Sequence, residues 1–418
     1  MRKNRKSRKI AFVTHMYYPS NLTGSCITVD NLAKSFLDKG YDVSVIASTA
    51  LEKRYYYIPF YFRNSSRRFE IINGIKVYRL GCNQLISFFA YFVRQFKVIL
   101  PKNFFNKVDF VSRGPYLVGL YDLLNKERFD VIFTSPLPYY LTKQVADTLE
   151  RLDKRPLFIL KPEYHFMLQD YNNPEFKRVF EAADIINVWT KSELFAIEKR
   201  YSIRRDRIKI IQNALAGSRI RNRIDREERN SFIRKYKLKN RKIILYAGVK
   251  SKFKGALFLM KTVNKLYKKD KSYLLIALGQ DTFVWNLNKR NINKNCLLDL
   301  GYVNSEVKDR IFDIADIYCM PSISEALGIS YLEAWYRKKP VISAKSPVAE
   351  EVIGSSNGGL LVEFGNQIAL ENAIETLFGN KRMATELGKN GYRSLMNTYI
   401  FEKGISKYLK LFNLKSGN

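Results

Sequence analysis

The feature that most constrains this chain is a recurring order: an apolar run of strand length, a loop, then an apolar helical stripe. Ile10–Thr14 is such a run, and His15–Ser25 behind it reads as a loop holding Pro19 and Gly24. Val29, Leu32, Ala33, Phe36 and Leu37 then fall at i, i+3, i+4, i+7 and i+8, one face of a helix. Gly40 stops that helix and Tyr41–Ala47 returns as a second strand. Strand, helix and strand at this spacing predict a parallel pair joined by a right-handed crossover.

The order continues with strand-like Phe129–Thr134, Pro156–Leu160 and Ala183–Trp189, the last followed by a helix after Thr190. Beyond Asn213 a second series begins. Its expected strands are Lys242–Ala247, Tyr273–Leu278, Ile317–Met320 and Val341–Ala344, with helices over Gly255–Leu266, Val307–Ala315 and Ile329–Tyr336. Two α/β series in 418 residues exceed one ordinary core and imply two doubly wound, Rossmann-like domains facing a cleft. The expected division is 1–213, 214–395 and a final amphipathic helix within 396–418 that packs back on the first domain.

Composition narrows the function classes. A formal charge of +33 implies a habitual anionic partner: a nucleotide, a membrane surface or a nucleic acid. Lys and Arg are spread along the chain and form no helix-turn-helix, zinc-finger or aromatic-strand motif, which sets nucleic acid aside. Two histidines, His15 and His165, and four scattered cysteines argue against a metal centre or a disulfide framework and fit a reduced, cytoplasmic protein. The basic start, Met1–Lys9, precedes an apolar stretch of only strand length, and Leu85–Val93 is broken by Ser87 and closed by Arg94. Neither approaches the roughly 20 apolar residues a spanning helix needs.

The segment from Cys319 to Ala334 carries the most chemistry. A strand ends at Pro321, a loop presents Glu325, and a helix opening at Gly328 and Ile329 carries Glu333. Parallel sheets bind ligands at the carboxyl ends of their strands. A helix N-terminus opened by glycine offers free N–H groups to a diphosphate, and two carboxylates suit hydroxyl-bearing rings on either side of it.

With these residues the chain resembles glycosyltransferase family 4, whose members have the GT-B architecture and a glutamate pair separated by seven residues. Gly248 to Gly255, with Lys254, resembles the family's glycine and lysine-glycine. Asp316–Ser322 and Lys339-Pro-Val-Ile-Ser resemble the strands on either side of the glutamates. Ile208–Asn213 resembles the approach to its interdomain Asn-Gly, and the Pro19–Gly24 loop its opening unit. The resemblance implies a retaining, metal-independent hexosyltransferase that uses a UDP- or GDP-sugar, with no other cofactor, in polysaccharide synthesis. Glu333 would hold the ribose, Glu325 the transferred sugar and Lys254 the diphosphate, with Gly248, Lys250, Gly328, Ile329 and Asn213 around the donor. The leaving diphosphate would help deprotonate the acceptor hydroxyl. The acceptor would be a glycan or a polyprenyl-linked glycan, which places the protein at the inner face of the membrane.

The sequence departs from that pattern at Val249, where the family has arginine, and at Ala214, where it has glycine. Lys250 or Lys252 stands as a replacement cation, although a lysine lacks the fork of arginine. These departures leave open a weakened homologue serving as a partner subunit, or a sugar-nucleotide epimerase of the same architecture. In the first domain His165, Glu163, His15 and Gly24 sit in loops after strands. His165, the catalytic candidate of this domain, and Glu163 compete for one cleft role, a contact with the donor sugar or the acceptor, and His15 reads as a loop residue near the acceptor. Leu85, Phe88, Phe89, Phe92 and Phe96 form a helical stripe beside Arg94, Lys97 and Lys102. Such a stripe is core or, with the basic cluster Arg2 to Lys9, a contact for an anionic bilayer.

Overall fold

A computed structural model describes residues 8–19, 24–56, 58, 64–96, 98–215 and 224–414. The cluster at Arg2, Lys3, Arg5 and Lys6, most of the Pro19–Gly24 loop, Lys97 and residues 216–223, just past the expected division after Asn213, lie outside the described residues. The chain divides into two compact units, one of residues up to 211 together with 405 onward, the other of 212–404.

In the first unit eight strands form one sheet in the order β3-β4-β2-β1-β5-β6-β7-β8. They are β1 (Lys9–Thr14), β2 (Asp42–Ser48), β3 (Phe69–Ile72), β4 (Ile75–Leu80), β5 (Val131–Ser135), β6 (Leu157–Leu160), β7 (Ile185–Val188) and β8 (Ile208–Ile210). All pairs are parallel except β3 with β4. The central strand β1 is buried along nearly its whole length, as its unbroken apolar run requires when helices cover both faces. Helix Gly24–Leu37 carries the stripe that includes Val29, Leu32, Ala33 and Phe36, all buried. The final helix, Phe401–Leu414, buries Ile405, Tyr408 and Phe412, and the last two close on Phe133 and Phe36 at 5.4 and 5.5 Å between ring centroids.

The stripe from Leu85 to Phe96 forms the helix Gln84–Arg94, capped by Asn83 through Ile86 N–H at 3.2 Å. It is not core, because only Ser87 of this helix is buried.

The second unit holds six parallel strands in the order β11-β10-β9-β12-β13-β14. They are β9 (Lys242–Ala247), β10 (Tyr273–Leu278), β11 (Leu297–Gly301), β12 (Ile317–Met320), β13 (Val341–Ala344) and β14 (Gly359–Val362). The order reverses between β9 and β12, which makes their carboxyl ends the switch point where an open α/β sheet receives a ligand.

Candidate functional site

Two loops leave that switch point side by side. The loop after β9 ends at Gly255, which has φ +72° and caps the helix Ala256–Lys269. A Cβ there would stand 2.1 Å from the Pro321 carbonyl oxygen, so only glycine lets this loop press on the end of β12. Ile323 N–H donates to the Phe253 carbonyl at 2.9 Å and fastens the two loops together. The contact brings Lys254 to Glu325, whose two carboxylate oxygens each lie 2.6 Å from the ammonium. Both side chains are largely shielded, 17% and 10% exposed. A pair so short and so dry is held by charge-assisted hydrogen bonds and is costly to break on one side only.

The helix Ile329–Tyr336 opens at Gly328, φ +83°, directly over the Tyr331 ring, where a Cβ would come within 2.2 Å. The Tyr331 hydroxyl donates to the Met320 carbonyl at 3.2 Å and lies 2.8 Å from the Ser343 hydroxyl, which ties the helix start to β12 and β13. Ile329 is its first residue, and Glu333 one turn further on. Glu333 is half-buried and bound to the ammonium of Lys308, on the helix Ser305–Ile314. Burial alone would lower the Lys308 pKa, but the Glu333 carboxylate outweighs it and raises it. Sequence reasoning missed Lys308, because 25 residues separate it from its partner and no spacing rule joins them.

Gly248 ends β9 beside Met320. An added Cβ would meet the Met320 sulfur at 3.4 Å, an ordinary contact, and so the fold does not require glycine here. Val249 is 44% exposed. Lys250 is placed differently from expectation. Its side chain is fully buried and bound to Asp281 at 2.6 Å and to Asp299. Lys289 meets the same two carboxylates at 3.2 and 3.0 Å, and the Trp285 indole N–H donates to Asp299 at 2.9 Å. Burial would raise the Asp299 pKa, yet the hydrogen bonds from Lys250, Trp285 and Lys289 bring it down to about 2. Lys250 therefore departs from the expected donor set: two partly buried carboxylates, Asp281 and Asp299, hold its charge.

Asn213 is wholly buried, with Gly404 so close that a Cβ on the glycine would lie 2.3 Å from the Asn213 Cβ. Neither polar atom of its amide has a partner among the described residues. The next two residues, Ala214 and Leu215, donate to the Tyr399 carbonyl at 3.0 and 3.2 Å.

In the first unit His15 follows β1, buried, its ring stacked on Tyr139 at 4.2 Å, while its carbonyl accepts from the Tyr56 hydroxyl at 2.7 Å. Gly24 opens the helix Gly24–Leu37 in open space. Glu163 follows β6 in the left-handed region, φ +48°, an uncommon conformation for a side-chain-bearing residue. The loop is braced from below by Glu193, which accepts Tyr164 N–H at 2.8 Å and Trp189 N–H at 2.7 Å. Lys161, also buried, donates to Asn187 at 3.0 Å and lies 3.2 Å from the centre of the Trp189 ring. Burial pushes the Glu163 and Glu193 carboxyls up and the Lys161 ammonium down. For Glu163 the mutual attraction with Lys161 and a hydrogen bond from Thr28 only partly offset the rise, to about 7. His165, half-buried, lies two residues on with its ring 5.4 Å from that of Tyr171.

Residues 228–394 match the family model for glycosyl transferases group 1. An uncharacterized glycosyltransferase of Methanocaldococcus jannaschii, MJ1607, is 21% identical over 97% of this chain and 98% of its own. The O-antigen chain mannosyltransferase B of Escherichia coli is 24% identical, covering 59% of this chain and 68% of its own. Among solved structures, sucrose-phosphate synthase from Thermosynechococcus elongatus superposes with a TM-score of 0.74 at 16% identity, over 98% of this chain and 100% of its own. HepE of Anabaena, in complex with UDP and glucose, gives 0.71 at 14% identity, over 97% and 99%. The group 1 match surrounds the switch-point pair, and the chain shares the GT-B fold of these neighbours.

Proposed function

We propose that the protein moves a hexose-type sugar from a UDP- or GDP-sugar to a hydroxyl of a glycan or lipid-linked glycan, with retention of configuration. The observation that carries this reading is the Lys254–Glu325 pair at the switch point of the second sheet, beside the fold-dispensable Gly248 and the helix opened by Gly328. Lys254 would leave Glu325 for the donor diphosphate, stabilising charge as it develops on the leaving group. Glu325, released, would accept a hydroxyl of the transferred sugar. Glu333 would take the ribose, and the N–H groups at Ile329 would face phosphate. In the transfer the acceptor oxygen bonds to the anomeric carbon, the bond from that carbon to diphosphate breaks, and the hydroxyl proton leaves with the diphosphate. This route needs neither a metal ion nor a protein nucleophile. His165, Glu163 and His15 are assigned to the acceptor. The UDP-bound neighbour and the mannosyltransferase relative support a nucleotide-sugar donor and a surface polysaccharide product. The test is saturation-transfer NMR on the intact chain with UDP- and GDP-sugars. Signal with one class, lost in Lys254→Ala, is expected, and silence with every nucleotide rejects the reading.

A further inference from the structure

The first unit displays an apolar face that the glycosyl-transfer chemistry does not use. Helices Gln84–Arg94 and Lys102–Val111 and the turn between them expose Leu85, Phe89, Phe92, Phe96, Ile99 and Phe104, with Phe89 60% and Ile99 77% exposed. The mount beneath is well defined. Asp109 accepts from Arg94 Nε at 2.9 Å, Arg113 Nη2 at 2.8 Å and Asn173 Nδ2 at 3.0 Å, which ties both helices to the body of the unit. Ser87, the one buried residue of the first helix, rests on Gly114, where a Cβ would come within 3.0 Å of its hydroxyl. The aromatic side chains are thus held outward by a buried polar anchor.

We propose that this helical hairpin docks the protein on an anionic lipid bilayer, with the aromatic face in the headgroup and acyl boundary. Contiguous exposed apolar surface of this kind marks a partner or a membrane. Charge selects between them. From Asn83 to Val108 there is no acidic residue, while Arg94, Lys97, Lys102 and Lys107 are basic. A second copy would bring two such basic, acid-free faces together across an isologous contact, where they repel. A bilayer of anionic lipid offers an apolar interior and a negative surface at once. At 11 and 10 residues the helices are too short to span, so they would lie on the membrane.

Vesicle flotation of the full chain tests this without reference to catalysis, using phosphatidylcholine alone and an equal mixture with phosphatidylglycerol. Wild type should bind the mixture about tenfold or more tightly than phosphatidylcholine alone, since each basic group near an anionic surface contributes about 1 kcal/mol. The double variant Phe89→Asp/Ile99→Asp, altered only at exposed positions, should lose about tenfold or more of that binding with unchanged melting temperature. Lys102→Glu/Lys107→Glu should lose the preference for anionic lipid. The proposal is overturned if wild type does not float. It is equally overturned if Phe89→Asp/Ile99→Asp floats like wild type, which would leave the overall charge as the attraction. A wild-type dimer in sedimentation that this variant dissociates, without vesicle binding, would assign the face to a second copy instead.

Discussion

Lys254 and Glu325, 71 residues apart, are bound ammonium to carboxylate at 2.6 Å on both oxygens, at the point where the second sheet reverses its strand order. Each satisfies the other. With a donor present both would exchange that partner for the ligand. Lys254→Ala and Glu325→Ala should each lower kcat by about a hundredfold or more, the scale for losing a group that stabilises a developing charge. Each should also cost about 2 kcal/mol of stability by stranding the other charge. The paired variant Lys254→Met/Glu325→Gln should recover most of that stability in chemical denaturation while remaining inactive. If the single variants kept wild-type activity, the pair would be structural only.

The Lys308–Glu333 contact predicts a different signature. Glu333→Gln should weaken nucleotide binding by about tenfold or more, the scale of a charge-assisted hydrogen bond, and act on KM more than on kcat. Lys308→Met, which removes the group that orients the carboxylate, should weaken binding in the same direction by a smaller factor. Calorimetric titration with UDP and GDP measures both. Tighter binding in Lys308→Met would mean that the lysine competes with the ribose rather than positions its receptor.

Three glycines around the switch point separate fold from ligand. Gly255→Ala meets both a left-handed backbone and the Pro321 carbonyl, so it should lower the melting temperature by several degrees, as about 1–2 kcal/mol of strain does in a unit of this size. Gly328→Ala should do the same against Tyr331. Gly248→Ala meets only ordinary contact and should melt like wild type, yet bind the donor about tenfold more weakly if a ligand approaches that backbone. Thermal melts with and without nucleotide decide it.

Much of this was legible in the sequence, and the failures have physical causes. The switch-point strands and the Gly328 helix follow from unbroken apolar runs and a glycine at the helix start, signals local to a few residues. The β3–β4 hairpin also had a local signal that went unread: Asn73 and Gly74, both at positive φ, are the residues a tight hairpin turn prefers. Strands β8, of three residues, and β11, half-buried throughout, lack a sustained apolar run to announce them. Lys250 and Lys254 sit four residues apart in one loop, and nothing local tells them apart. Their different fates are set by Asp281 and Asp299, 31 and 49 residues from Lys250, and by Glu325. Pairings of that range belong to topology.

The Lys250 lattice carries its own acid signature. Asp299 is held at about 2, below its ordinary range near 4, by hydrogen bonds that outweigh its burial. A depressed carboxylate contributes stability fully present above the unfolded pKa and lost as pH falls through the folded one. Wild type should therefore lose stability between about pH 4 and pH 2 more steeply than Asp299→Asn, which lacks that proton-linked term. Denaturation followed by tryptophan fluorescence measures it, and parallel curves would exclude Asp299 as a source of the acid lability.

Glu163 gives the opposite sign. Its carboxyl is raised to about 7, mainly by burial, so the folded protein binds a proton that the unfolded chain releases near pH 4. Stability from this group is present below the unfolded pKa and declines as pH rises through about 7. Glu163→Gln, neutral throughout, should then be more stable than wild type at pH 8 and gain less, or nothing, at pH 5. If Glu163 serves the acceptor as a carboxylate, the transfer rate of wild type should rise through an inflection near pH 7 that Glu163→Gln abolishes. The two readouts are independent. A stability gain at pH 8 with an unaltered rate profile would leave Glu163 a strained but catalytically idle residue of the braced loop, and His165 as the remaining acceptor-side candidate after β6.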